Sequence, residues 1–96
     1  MTFDDVIRRQ LDLFQQECAD LIVECEAAER AYDSAGRDEA EERYAEYLEL
    51  VEEGVDALRE IRDTYAATLE EDVADDYERA FEREVDRRLP RFALGL

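Results

Sequence analysis

The stretch Glu39–Leu69 admits one kind of secondary structure. Tyr44, Leu48, Val51, Val55, Leu58, Ile61 and Tyr65 return every three or four residues, and Glu, Asp and Arg occupy nearly every gap. That period marks an amphipathic α-helix and is incompatible with the two-residue alternation of a half-buried strand. At about 1.5 Å per residue, a helix over 39–69 runs about 45 Å. A rod of that length with one apolar face requires other helices along it, and the flanking segments have the patterning to supply them.

Upstream, Ile7, Leu11, Phe14, Cys18, Leu21, Cys25, Ala28, Tyr32 and Ala35 alternate by four and three, a heptad seam. The spacing predicts one helix over 3–35. Thr2 is placed to cap it with Asp5 three residues on, and Met1 with Val6 forms a candidate hydrophobic staple. Val6, Leu13, Ala19, Ile22 and Val23 widen the seam beyond what one partner helix covers. The segment Asp33–Asp38 reads as the turn, with Gly36 a candidate left-handed helix stop and Asp38 with Glu41 a capping box for the next helix. So short a connection makes the two helices antiparallel neighbours.

Gly54 sits inside the second helix, where it costs about 1 kcal/mol relative to Ala. Its presence predicts a close helix–helix approach. Beyond Ile61 the apolar residues step by four each time: Tyr65, Leu69, Val73, Tyr77, Phe81, Val85 and Leu89. Each such step turns the stripe by about 40°, so an unbroken helix would carry its apolar side away from the core. A break at 69–72 is therefore expected, with Thr68 and Glu71 as a capping box and a third helix over 72–89. Pro90 ends that helix, leaving the short apolar tail 90–96.

Charge frames the functional reading. The chain carries 29 Asp and Glu against 12 basic residues, net −17, and every basic residue is Arg. Acid spread over nearly all polar positions, with no Lys and no His, resembles the composition of haloarchaeal proteins, which implies a high-salt cytoplasm. An acidic mimic of nucleic acid, blocking a DNA- or RNA-binding protein, is the competing expectation. At about 1 M salt the Debye length is only about 3 Å, so long-range mimicry gains little there. The negative surface disfavours nucleic acid and anionic membrane as direct partners, and no apolar run approaches the roughly 18 residues of a membrane span.

No residue set announces a reaction. Cys18 and Cys25 lie two turns apart on one helix, about 10.5 Å, too far to bridge within a chain. They read as small buried hydrophobes. A di-metal helical bundle uses inward Glu and Glu-x-x-His pairs, and His is absent, so a carboxylate metal-binding bundle is the weakest reading. Nucleophilic catalysis lacks a His base and phosphate binding lacks a Gly-rich loop; neither an enzyme nor a cofactor is expected.

One end of the chain differs. Residues 1–78 carry 7 Arg and 26 acids, whereas residues 79–96 carry 5 Arg and 3 acids. Arg79, Arg83 and Arg87 line a stripe beside Tyr77, Phe81 and Val85. These six residues are the expected partner-contact surface, docking on an acidic helical hairpin of the same or another subunit; the plainer alternative is that the arginines pair with Glu78, Glu82 and Glu84 on the solvated helix surface. The fold expected is all-α in one domain: a long antiparallel hairpin plus a C-terminal helix, completed as a multi-helix bundle by self-association, with a symmetric dimer favoured. The expected function is a non-enzymatic helical interaction module.

Overall fold

The long central helix covers Ala40–Ala66, 27 residues and about 40 Å. In the computed structural model, which describes residues 2–96, it is the third of five helices, and the described residues contain no strand. In chain order these are α1 (Asp4–Glu17), α2 (Ala19–Asp33), α3 (Ala40–Ala66), α4 (Glu71–Arg88) and the single turn α5 (Pro90–Ala93). The Met1 half of the candidate staple lies outside the described residues.

Side-chain pairings give the topology. Phe3 packs edge-on against Tyr77, Gln10 accepts a hydrogen bond from the Tyr77 hydroxyl, and Asp12 and Gln15 accept from Arg88, so α1 and α4 run parallel. Tyr65 stacks near Tyr77 and Arg62 pairs with Glu82, so α3 and α4 run antiparallel. α2 lies beside the N-terminal half of α3, where the Tyr32 and Tyr44 rings meet at 5.1 Å. The result is a three-helix section, α1 with α4 and the C-terminal half of α3, from which α2 and the N-terminal half of α3 project as a two-helix arm. The arm makes the molecule long, 51 × 22 × 19 Å. The radius of gyration is 15.4 Å, against about 12.5 Å for a compact chain of this length.

The core sits in the three-helix section: Phe3, Ile7, Leu11 and Phe14 from α1 and its lead-in, Val55, Leu58 and Ala66 from α3, Tyr77, Phe81 and Val85 from α4, then Leu89 and Phe92. Cys25 extends it to the base of the arm. The four-residue stepping is realised in α4, where Tyr77, Phe81 and Val85 are fully buried. The rotation it imposes leaves Val73, at the start of the stripe, 36% exposed.

The first helix is not continuous over 3–35. It breaks at Cys18 (φ −106°, ψ 23°), although Cys18 N–H still donates to Phe14 and Ile22 N–H to the Cys18 carbonyl. No Gly or Pro marks the position. The two halves have different tasks: α1 packs on α3 and α4 together, whereas α2 follows α3, and the bend lets each reach its own partner. The other break falls at 67–70, where Glu70 adopts extended backbone (φ −67°, ψ 154°) before α4. Leu89 likewise leaves helical geometry, and Pro90 occupies the first turn of α5, where its missing N–H costs nothing.

None of the three expected side-chain caps forms. α1 starts after Phe3, α3 after Glu39 and α4 after Glu70, each without a side-chain cap. Thr2, Asp38 and Thr68 thus do not perform the predicted role, and the Thr68 hydroxyl instead donates back to the Tyr65 carbonyl at 2.7 Å. Gly36 is not left-handed, since no described glycine has positive φ. Its carbonyl accepts from the N–H groups of Glu39 and Ala40, turning the chain directly into α3.

Gly54 does permit a close approach, made by the Phe92 ring of the single-turn α5 rather than by the backbone of a long helix. A Cβ there would lie 2.8 Å from Phe92 Cδ1. The tail is therefore docked: Phe92 is 1% exposed, Gly95 lies against Val55, and Arg59 donates to the Gly95 carbonyl. Arg91 secures the crossing, donating to the Tyr47 hydroxyl at 3.2 Å and pairing with Glu29 at 3.1 Å, which ties α5 to both helices of the arm's base.

Candidate functional site

The C-terminal stripe divides into two halves. Tyr77, Phe81 and Val85 are spent on the chain's own α1 and α3, so they offer nothing to an outside partner. The hairpin on which this stripe docks is its own. Arg79 and Arg87 lie outside, each paired within α4, to Asp76 at 3.1 Å and to Glu84. Arg87 holds the Glu84 carboxyl below its usual range. Arg83 is exposed and makes no ion pair among the described residues. The arginines that join helices are others: Arg62 to Glu82, Arg88 to Asp12 and Arg91 to Glu29.

Tyr77 is the one phenol enclosed by the core. Burial pushes its pKa up to about 12, against the lowering effect of the hydrogen bond to Gln10. An unfolded Tyr ionises near pH 10. Between these values the unfolded chain loses a proton that the folded chain keeps, so stability is intact below about pH 10 and falls up to about pH 12, by about 2–3 kcal/mol in total. Denaturant unfolding at stepped alkaline pH is expected to show this loss in the parent chain and not in Tyr77→Phe.

Several surfaces remain open among the described residues. The first is the arm, where Tyr32, Tyr44 and Leu48 are 38%, 45% and 44% exposed. Tyr44 and Leu48 are one turn apart on α3, in the same stripe as Val55. The tail covers the stripe at Val55 and leaves it uncovered at Leu48 and Tyr44. Sequence spacing marked these positions as core; they are bare because the third helix ends level with the base of the arm.

The second surface is a groove of about 580 Å³ between α1 and α3, with no α4 residue in its walls. Phe14, Cys18, Ala57, Ile61 and Tyr65 form its apolar lining, and Glu17 and Glu60 are its only charged members. The Tyr77 hydroxyl donates to Gln10, which stands in the α1 wall. The third is a cleft of about 630 Å³ between α1 and α4, lined by Arg8, Arg83, Arg87 and Arg88 together with Asp4, Asp12 and Glu84. Arg8, Arg87 and Arg88 pair with Asp5, Glu84 and Asp12, whereas Arg83 makes no ion pair among the described residues.

Both cysteines are free, Cys25 buried and Cys18 half-buried, and burial raises both thiol pKa values. Raised thiols are largely protonated at neutral pH and make poor nucleophiles. Among the described residues no three carboxylates or thiols converge to hold a metal ion, and no helix is long and apolar enough to cross a membrane. What the arrangement provides is helix surface: one bare two-helix arm and one apolar groove. No protein-family model, curated protein sequence or solved structure matches the chain significantly.

Proposed function

We propose that the chain is a non-enzymatic helical interaction module, a small scaffold, adaptor or assembly subunit that works through helix–helix contacts in a high-salt cytoplasm. The observation that carries this reading is the arm, two packed helices whose apolar side chains Tyr32, Tyr44 and Leu48 have no third helix over them. A two-helix hairpin with one bare face is half of a four-helix section. A second copy is the simplest partner, since twofold pairing of two arms lays Tyr44 and Leu48 of each on the other.

Charge sets the condition. Residues 26–49 contain nine Asp and Glu and three Arg, so two arms repel one another in dilute buffer. At about 1 M salt, with a Debye length of about 3 Å, that repulsion is screened while the apolar contact remains. Sedimentation velocity is expected to find a monomer in dilute buffer and a dimer at high salt, and the double substitution Tyr44→Glu, Leu48→Glu is expected to abolish the dimer. A chain that stays monomeric at both salts would sink the self-association reading.

A further inference from the structure

We propose that the groove between α1 and α3 is a second docking site, distinct from the arm, and that its occupant is an amphipathic helix with basic flanks from a different protein. The groove runs along α3 from Ala57 to Tyr65 and on to Thr68 just past its end, about 16 Å, room for roughly three turns of helix. Its floor is apolar, and the half-buried Ile61, Tyr65 and Cys18 still present surface to it. Leu13, 51% exposed, is a helical neighbour on α1 of Gln10 and Glu17, which line the groove. An apolar trough of this length between two rods is the setting in which an amphipathic helix lays down residues at i, i+3, i+4 and i+7.

Charge chooses the occupant. Glu17 and Glu60 are the only charged residues in the walls, and both are exposed. Four arginines line the α1–α4 cleft, whereas none lines this groove. A helix carrying Arg or Lys beside its apolar stripe therefore meets a carboxylate on either rim, whereas one flanked by acid is repelled by both. A second copy of this chain does not qualify. Its exposed apolar helix positions are bordered by acid, Val23 by Asp20, Glu24 and Glu26 and the pair Tyr44 and Leu48 by Glu41, Glu42, Glu46, Glu49 and Glu52, and the Arg-flanked stripe of α4 is already buried at Tyr77, Phe81 and Val85. Rim contacts act at ion-pair distance, so they survive salt that erases longer-range attraction.

The probes are two labelled synthetic helices of about 16 residues, identical in their Leu and Ala stripe and flanked by Arg in one and Glu in the other. Binding to the full chain is read by fluorescence anisotropy in moderate salt. The Arg-flanked helix is expected to bind at least roughly tenfold more tightly than its Glu-flanked twin, and the double substitution Glu17→Arg, Glu60→Arg is expected to erase or invert that preference. Thr64→Trp, a change at an exposed position that fills the groove, is expected to weaken binding by at least roughly tenfold. The control Glu41→Arg, Glu42→Arg makes the same change in net charge on the arm and is expected to leave the preference intact. If the control loses as much as the rim variant, the attraction is bulk charge and the site is wrong. If Thr64→Trp binds as well as the parent chain, or if Ile61→Glu rather than the arm substitutions abolishes self-association, the assignment is overturned. Failure here leaves the arm reading standing, because the arm is tested by the salt dependence of dimerisation.

Discussion

Replacing Phe92 with alanine is expected to destabilise the chain by about 3–5 kcal/mol, the cost of emptying a fully enclosed aromatic site. Against a total of about 5–15 kcal/mol for a domain, that is enough to leave the variant marginal. Phe92 comes from a single-turn helix, four residues past the end of α4, yet it is 1% exposed and set edge-on to Phe14 at 5.6 Å. It fills the notch that Gly54 leaves in α3. Gly54→Ala makes the test sharper because its sign depends on the ring. In the parent chain the added methyl lies inside van der Waals contact with Phe92, and overpacking of this kind costs about 1–3 kcal/mol. In the Phe92→Ala background the obstruction is gone, and Gly54→Ala is expected to stabilise by up to about 1 kcal/mol through helix propensity. Chemical denaturation of the four proteins in this cycle checks both the magnitude and the reversal. A Gly54→Ala effect of the same sign in both backgrounds would show that the tail does not sit where described.

The second large effect is expected at Phe81. Its ring lies at the centre of the α4 stripe, fully buried, with the Tyr77 ring 5.9 Å away. Phe81→Ala is expected to cost about 3–5 kcal/mol and to lower Tm by well over about 10 °C for a domain of this size. Leu48→Ala, a change of similar chemistry on the bare stripe of the arm, is expected to cost under about 1 kcal/mol in the monomer, since a half-exposed Leu has little transfer energy to lose. The contrast separates a stripe consumed by the fold from one kept available. Equal effects would mean that the arm is enclosed or that α4 is not.

Much of the architecture was legible because helical periodicity over long stretches is a strong signal. The α3 pattern through Tyr44, Val55 and Ile61, a turn expected at 33–38 and found at 34–39, and a break expected at 69–72 and found at 67–70 follow, to within a residue or two, from spacing and from the drift of a four-residue step. The break at Cys18 was not legible. It contains neither Gly nor Pro, and it arises from a tertiary demand, that α1 lean on α4 while α2 stays with α3. Cap positions failed for a related reason: at Phe3, Glu39 and Glu70 the start of each helix is set by where its buried face begins rather than by a side-chain acceptor. The site was half legible. Spacing placed Tyr77, Phe81 and Val85 on one face beside Arg79, Arg83 and Arg87, and an apolar face reads alike whether its own chain or another covers it. The exposure of Leu48 and Tyr44 had no sequence signature at all, because it depends on how far along α3 the returning helix and tail extend.

Stability is expected to be concentrated in the α1–α3–α4 section, because the arm is held by only two helices. Native-state hydrogen exchange of the monomer in dilute buffer tests it most directly. Amides of α4 around Tyr77 and Phe81 are expected to exchange only through global unfolding, and those around Tyr32 and Tyr44 through local opening at least about 100-fold faster. Protection around Tyr44 equal to or greater than that around Phe81 would contradict the account.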